Sequence, residues 1–175
     1  MFKEARELIA TIREKDPAAH GAAEIIFAYP GFHAVMIHRF AHWCAIQGWT
    51  AFARWVSQVG RFLTGIEIHP KAKIGRRVFF DHAMGVVIGE TAEVGDDCTI
   101  YQGVTLGGTN LTAGAKRHPT LENGVVVKSV PLSSPKASPA STSQAQSFTA
   151  ISGTKPETNG WLTPKPLMWS SASLP

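Results

Sequence analysis

From Ile68 to Leu106 the chain places a large apolar residue at nearly every sixth position: Ile68, Ile74, Phe80, Ile88, Val94, Ile100 and Leu106. Every step is six except the step of eight between Phe80 and Ile88. Neither the 3.6-residue period of a helix nor the period of two of a strand accounts for this spacing. Glycine follows the hydrophobe at Gly75, Gly89, Gly95 and Gly107. Such a repeat predicts a parallel β-helix in which each hexad forms one side of a triangular coil, with the repeated side chain pointing inward and a turn after it. Polar residues that interrupt the repeat are the first candidates for chemistry, and Asp81-His82 falls in the one irregular step.

The residues before the repeat predict helices. Glu4, Leu8, Ile9 and Ile12 space one short helix. Asp16-Pro17 gives a capping side chain followed by proline at a first helical position, which predicts a second helix from Pro17 to about Ala28. After the turn Tyr29-Pro30-Gly31, the residues Phe32, Val35, Met36, Phe40, Trp43 and Ile46 recur at steps of three and four, as one buried face requires. Gly48 stops that helix, and Trp49 to Leu63 forms another that Thr64-Gly65 ends.

After Leu106 the pattern changes again. Residues 110–118, NLTAGAKRH, contain no inward hydrophobe and predict an excursion loop. Val125, Val126 and Val127 resemble a resumed hexad, but Lys128 stands where glycine is expected and Ser133 lies six beyond Val127, so the repeat is read as ended. From 128 onward the chain holds 11 Ser, 5 Thr and 7 Pro in 48 residues and keeps no period, which predicts an irregular or disordered tail. Its stranded tryptophans and aperiodic composition are those of an out-of-frame translation, and a frame change near codon 128 is the expected origin. The expected fold class is therefore α+β: a helical cap over 1–65, a truncated parallel β-helix over 66–127 and a Ser/Pro-rich tail over 128–175.

Composition narrows the function classes. With 44% hydrophobic and 17% charged residues, the chain has the balance of a soluble globular protein. Met1 to Lys15 carries no continuous apolar run, so neither a secretory signal nor a membrane span is predicted there, and a cytoplasmic location follows by default. Cys44 and Cys98 have no ligand spacing and are expected as free thiols. Of the net charge of +4, the tail supplies +3, from four lysines against Glu157. Residues 1–127 hold 13 basic against 12 acidic side chains without a one-sided cluster, so no nucleic-acid partner is expected. His38 and His42 stand four apart, as two metal ligands on one helix would. No acidic or cysteine partner has suitable spacing nearby, so helix packing is the preferred reading and no metal is expected.

The segments IHPKAKIG, DHAMGVVIGETA, YQGVTLGGT and KRHPTLE, preceded by IREKDPAA, YPGFHA and HRFAHW, closely resemble bacterial serine O-acetyltransferases in their short N-terminal form, over about residues 1–127. The resemblance implies a left-handed β-helix of the hexapeptide-repeat acyltransferases. It implies acetyl transfer from acetyl-CoA, as co-substrate, to the hydroxyl of L-serine in cysteine synthesis, with no tightly bound cofactor. It further implies feedback inhibition by L-cysteine in the same pocket, and a homotrimer or dimer of trimers with active sites between neighbouring prisms.

Chemistry supports the assignment of roles. A serine hydroxyl needs a base with proton affinity near neutrality, and His82 is the candidate. An imidazole works best with a carboxylate on its other nitrogen, and Glu67, 15 residues earlier and so close to one coil of three hexads, is the candidate orienter. The family usually has Asp there. The resemblance assigns Asp16 and Asp81 to the substrate ammonium, Arg117 to its carboxylate and His118 to the hydroxyl or the tetrahedral oxyanion. Gly107, Gly108 and Thr109 match the approach of the pantetheine arm, although glycine would equally suit a turn that launches the loop. Read alone, Asp16 is better explained by helix capping than by substrate binding, although one carboxylate could do both. The family's further coils, which build most of the acetyl-CoA site, and its C-terminal peptide for cysteine synthase have no counterpart after Val127. Impaired turnover is therefore expected, and association with cysteine synthase is doubtful. The alternatives are a non-catalytic remnant that only oligomerises and a hexapeptide acetyltransferase for another hydroxyl. The second predicts no Arg117-His118 loop.

Overall fold

The computed structural model describes residues 2–108, 116–129 and, for the backbone alone, 149–152. Four helices come first: α1 (Phe2–Lys15), α2 (Ala22–Ala28), α3 (Pro30–Ile46) and α4 (Thr50–Thr64). Helix α1 buries Leu8, Thr11 and Ile12, a stripe at steps of three and one. The second helix starts at Ala22, not at Pro17, and Gly21 occupies its N-cap. Asp16 is turned to another use: its Oδ1 accepts the Ala18 N–H at 2.8 Å, a local bond that competes with helix initiation. Helices α3 and α4 pair as a hairpin whose turn includes Gly48 at φ +86. Gly65, at φ +71, closes α4 as a left-handed cap.

The remaining described residues build strands. The first coil is β1 (Glu67–Ile68), β2 (Lys73–Ile74) and β3 (Phe79–Asp81); the second is β4 (Val87–Ile88), β5 (Glu93–Val94) and β6 (Thr99–Tyr101). The third is β7 (Thr105–Leu106), β8 (Thr120–Leu121) and β9 (Val126–Ser129). Strands one coil apart pair in parallel, giving three sheets, one to each side of the prism. The register stacks the hexad residues in columns: Ile68 on Ile88 on Leu106, Ile74 on Val94 on Leu121, and Phe80 on Ile100 on Val127. All nine are buried. A second inward set of smaller residues, including Ala72, Ala92 and Cys98, fills the space between columns.

Two sequence expectations change here. The repeat does resume after the loop, because Leu121 and Val127 are six apart and complete the third coil. Gly124, at φ +73, supplies the turn before β9, and Lys128 needs none because β9 runs on to Ser129. The tail is not irregular where it is described: Thr149–Ser152 form β10, antiparallel to β9, with Ile151 opposite Val127. The other tail residues, and residues 109–115 of the loop, lie outside the described residues.

The helices close the front end of the prism through polar contacts as well as apolar ones. The carbonyls of the first coil have no earlier coil to bond, and unpaired buried carbonyls are costly. Ser57 donates to the Ile68 carbonyl at 2.7 Å, His42 Nδ1 to Pro70 at 2.7 Å, and Arg39 to Ile74 and Gly75 at 2.5 and 2.6 Å. Gly31 lies so close to Phe80 that a Cβ would overlap its carbonyl oxygen, which fixes α3 against β3.

Candidate active site

The irregular step in the repeat makes a long corner. From Ile100 to Leu106 the chain turns in six residues, while from Phe80 to Ile88 it takes eight, and the two extra residues enlarge the turn that holds His82 and Gly85. His82 adopts φ +48, a region that costs energy for any residue with a Cβ and that concentrates at functional sites. Its imidazole is 87% exposed, with Nε2 3.7 Å from Asp81 Oδ1. Facing this corner is a cavity of about 390 Å³ lined by Asp16, Tyr29, Thr64, Asp81, His82 and Met84, among others.

The cap supplies the other carboxylate. Asp16 Oδ2 accepts the Tyr29 hydroxyl at 2.8 Å while Oδ1 keeps the Ala18 N–H. The Tyr29 bond, followed by the Ala18 bond, holds the Asp16 carboxyl below its ordinary range. Burial, reinforced by Asp16, pushes the Tyr29 phenol up to about 12. Beside Asp81 in the register stands Tyr101, whose phenol is raised by burial and then by the Asp81 charge. Lys128 lies over the Tyr101 ring at 4.5 Å, so the first tail residue reaches the row of residues that begins at Asp81. Sequence patterning gives no sign of Tyr29, which reads only as part of a turn.

Glu67 does not meet His82. Its carboxylate lies on the first strand, where Arg61 at the end of α4 takes it at 3.4 Å. The carboxylate beside His82 is Asp81.

Arg117 and His118 lie on a different corner, between β7 and β8, packed over the turn Gly89-Glu90-Thr91 of the coil before. Arg117 Nη2 is 3.5 Å from Glu90 Oε2, and Lys71 bonds the other oxygen of Glu90 at 3.0 Å. His118 Nδ1 lies 3.1 Å from the Thr91 amide nitrogen and 2.8 Å from its Oγ1. Gly89 makes room for the ring, since a Cβ there would overlap the His118 Cδ2–Nε2 edge. Gly108 serves Arg117: a Cβ on it would come within 3.0 Å of Arg117 Cγ and its carbonyl oxygen. Thr109 lies outside the described residues. One chain therefore divides the expected serine-binding residues into two groups: Asp16, Asp81 and His82 around one cavity, and Arg117 and His118 at the next corner of the prism.

The other titratable groups serve the fold. His38 is buried in the cap, and burial, with Arg39 and His42 adding to it, pushes its imidazole down to about 3. Cys44 and Cys98 are free and buried. Among the described residues no group of three His, Cys, Asp or Glu side chains is placed to hold a metal ion, and no helix is long and apolar enough to cross a membrane.

No family model matches the chain. Its structural relatives nevertheless define the class, the left-handed parallel β-helix of hexapeptide-repeat transferases. The fold is similar to serine acetyltransferase isoform 3 of Entamoeba histolytica in complex with cysteine, at 44% identity and TM-score 0.68 over 71% of this chain and 44% of that one. The Neisseria gonorrhoeae serine acetyltransferase in complex with serine gives 35% and 0.67 over 71% and 50%. That of Brucella abortus in complex with coenzyme A gives 40% and 0.68 over 71% and 49%. In sequence the chain is 58% identical to the serine acetyltransferase of Helicobacter pylori over 66% of this chain and 67% of that protein. It is 59% identical to that of Mycobacterium tuberculosis over 68% and 52%. The chain belongs to the serine acetyltransferase family. It spans between about half and two thirds of the length of the curated relatives it matches, 52% of the Mycobacterium tuberculosis protein and 67% of that of Helicobacter pylori.

Proposed function

We propose that this chain descends from, and retains the serine half of, a serine O-acetyltransferase that uses acetyl-CoA as co-substrate, with turnover well below that of a full-length relative. The observation that carries the reading is the convergence of Asp16, Asp81 and His82 on one cavity, with Arg117 and His118 presented at the adjoining corner. His82 removes the hydroxyl proton as serine Oγ attacks the thioester carbonyl, and His118 and Arg117 hold the oxygen and the carboxylate. The tetrahedral intermediate breaks its C–S bond, and the departing CoA sulfur takes the proton back from His82, so no proton is consumed. Asp16 and Asp81 bind the substrate ammonium. Glu67 orients His82 once it exchanges Arg61 for the imidazole. L-Cysteine shares the ammonium and carboxylate of serine and competes in the same pocket.

The split of the residues between two corners supports a threefold assembly in which the Arg117–His118 corner of one subunit completes the His82 corner of its neighbour. The α3–α4 hairpin exposes Trp43, Trp49, Phe52 and Trp55, with Trp43 edge-on to Trp49 and Phe52 stacked on Trp55, and that apolar surface supports pairing of two trimers.

Impairment follows from what adjoins the third coil. The residues after Ser129 carry no hexads, and β10 pairs antiparallel where a fourth parallel strand would lie. A thiol-release assay with serine and acetyl-CoA tests the reading. Low turnover with saturable serine binding is expected; turnover equal to that of a full-length relative would refute the impairment, and absence of serine binding would refute the site. The same antiparallel strand favours a second reading, a remnant that assembles without catalysis. Size-exclusion chromatography combined with a serine titration separates the two, since the remnant forms trimers and binds no serine.

A further inference from the structure

We infer that Thr91 is a positioning residue that fixes the tautomer and orientation of His118, and with it the adjoining Arg117, for the serine site. This rests on the proposed role of His118 in that site. A backbone N–H can only donate, so its contact with His118 Nδ1 at 3.1 Å makes Nδ1 the acceptor and places the proton of the neutral ring on Nε2. The Thr91 hydroxyl lies 2.8 Å from the same nitrogen and donates its single hydrogen there. Its two lone pairs then accept the Arg117 N–H at 3.1 Å and the His118 N–H at 3.2 Å. The hydroxyl is thereby fully used, and it binds both the backbone and the ring of the segment it holds.

The neighbours of Thr91 complete the seat. Gly89 leaves space for the Cδ2–Nε2 edge of the ring, and Glu90 takes Arg117 Nη2. The consequence is chemical. An Nε2–H is a donor, which a developing oxyanion requires, whereas the other tautomer would present a lone pair and repel it. Thr91 touches neither substrate in this scheme and acts through His118.

The test uses the full-length chain with isotope-labelled histidine, read by two-dimensional NMR of the ring nitrogens, together with calorimetric titration of L-serine. The neutral His118 ring should show an unprotonated Nδ1 and a protonated Nε2. Thr91→Val keeps the backbone donor, and with it the tautomer, but removes the hydroxyl that ties the ring to the backbone of its own segment; it should shift and broaden the His118 ring-nitrogen signals and weaken serine binding about tenfold, the effect of roughly one net hydrogen bond. Thr91→Ser should restore both. A proton on Nδ1 in the unaltered chain overturns the inference whether or not any variant folds. So does a Thr91→Val spectrum identical to the original, or a failure of Thr91→Ser to restore it. If the unaltered chain binds no serine, the serine-site reading fails, while the histidine spectra still decide the role of Thr91.

Discussion

At the corner after β3, His82 stands 87% exposed in a left-handed conformation with one carboxylate 3.7 Å from its ring. At the corner after β4, the turn Gly89-Glu90-Thr91 holds the ring of His118 and the backbone of Arg117 with four hydrogen-bond contacts and leaves a glycine-sized space beneath. The two corners use opposite means. The first is made by lengthening a turn, which frees a side chain and leaves it beside the adjacent carboxylate of Asp81. The second is made by laying a loop over a turn that already has fixed donors. A catalytic base must meet two substrates in turn, whereas a carboxylate and oxyanion anchor must be in place beforehand. On the proposed reading, the first corner carries the base and the second a preorganised anchor, and a threefold assembly with bound substrate would bring the two together.

The largest expected effect falls on the loose corner. His82→Ala should reduce residual acetyl transfer at least about 100-fold, as loss of a general base does, yet leave thermal stability unchanged because the ring is exposed. Retained activity would break the assignment of the base, and a large stability loss would break the description of the corner as loose. Next come the glycines beneath the two corners. Gly31→Ala drives a Cβ into the backbone of Phe80, which cannot move without separating α3 from β3, and should cost roughly 1–3 kcal/mol in a urea unfolding curve. Gly89→Ala meets a side chain, the ring of His118, in place of backbone, so it should cost less than about 1 kcal/mol while weakening serine binding about tenfold by pushing that ring from its seat. Equal stability losses for the two would erase the distinction.

Acid should weaken the cap on which the first coil rests. The His38 imidazole sits beneath the cap near Arg39, His42 and His69, and its folded pKa of about 3 lies below the 6.5 of an ordinary histidine. The unfolded chain therefore takes up the proton first. Stability is full above the ordinary value and falls as pH drops through the window, by up to about 1.4 kcal/mol per pH unit. His69, also lowered by burial, acts in the same direction. Urea midpoints at about pH 7 and about pH 5 should differ less in His38→Gln than in the unaltered chain, and an equal difference would remove His38 as the cause.

How much of this was legible in the sequence follows from the range of each interaction. The hexads declared the prism, because each inward residue pays no attention to anything but its place in the coil, and the step of eight declared the His82 corner. The loop hides Leu121 and Val127 by shifting the period out of phase, and Lys128, where a glycine is expected, marks an end to a repeat that β9 carries through it. Asp16 followed by Pro17 has the form of a helix cap, but the Tyr29 hydroxyl, 13 residues on, claims its second oxygen. The 15 residues between Glu67 and His82 brought them near the same corner without contact, since Arg61 reaches the carboxylate first. Thr91 carried no signal at all, because its partners lie 26 and 27 residues away and meet it only when the third coil closes over the second.

The smallest effect concerns the carboxylate that the cap contributes to the loose corner. Tyr29 donates to Asp16 and is the main cause of its lowered carboxyl pKa, with Ala18 second. A carboxylate with a depressed pKa stays charged as the pH falls toward its ordinary range, and loses its charge only when the pH passes below its folded value. Tyr29→Phe removes the larger of the two donors and should raise that value toward the ordinary 3.8 without displacing the Ala18 bond. Near neutral pH Asp16 remains ionised either way, so serine affinity should change by less than about threefold, reflecting only a looser carboxylate. As the pH falls below about 4 the variant should lose affinity earlier than the unaltered chain. Parallel curves at both pH values would show that Asp16 does not bind the substrate ammonium and that the cap contributes only shape to the cavity.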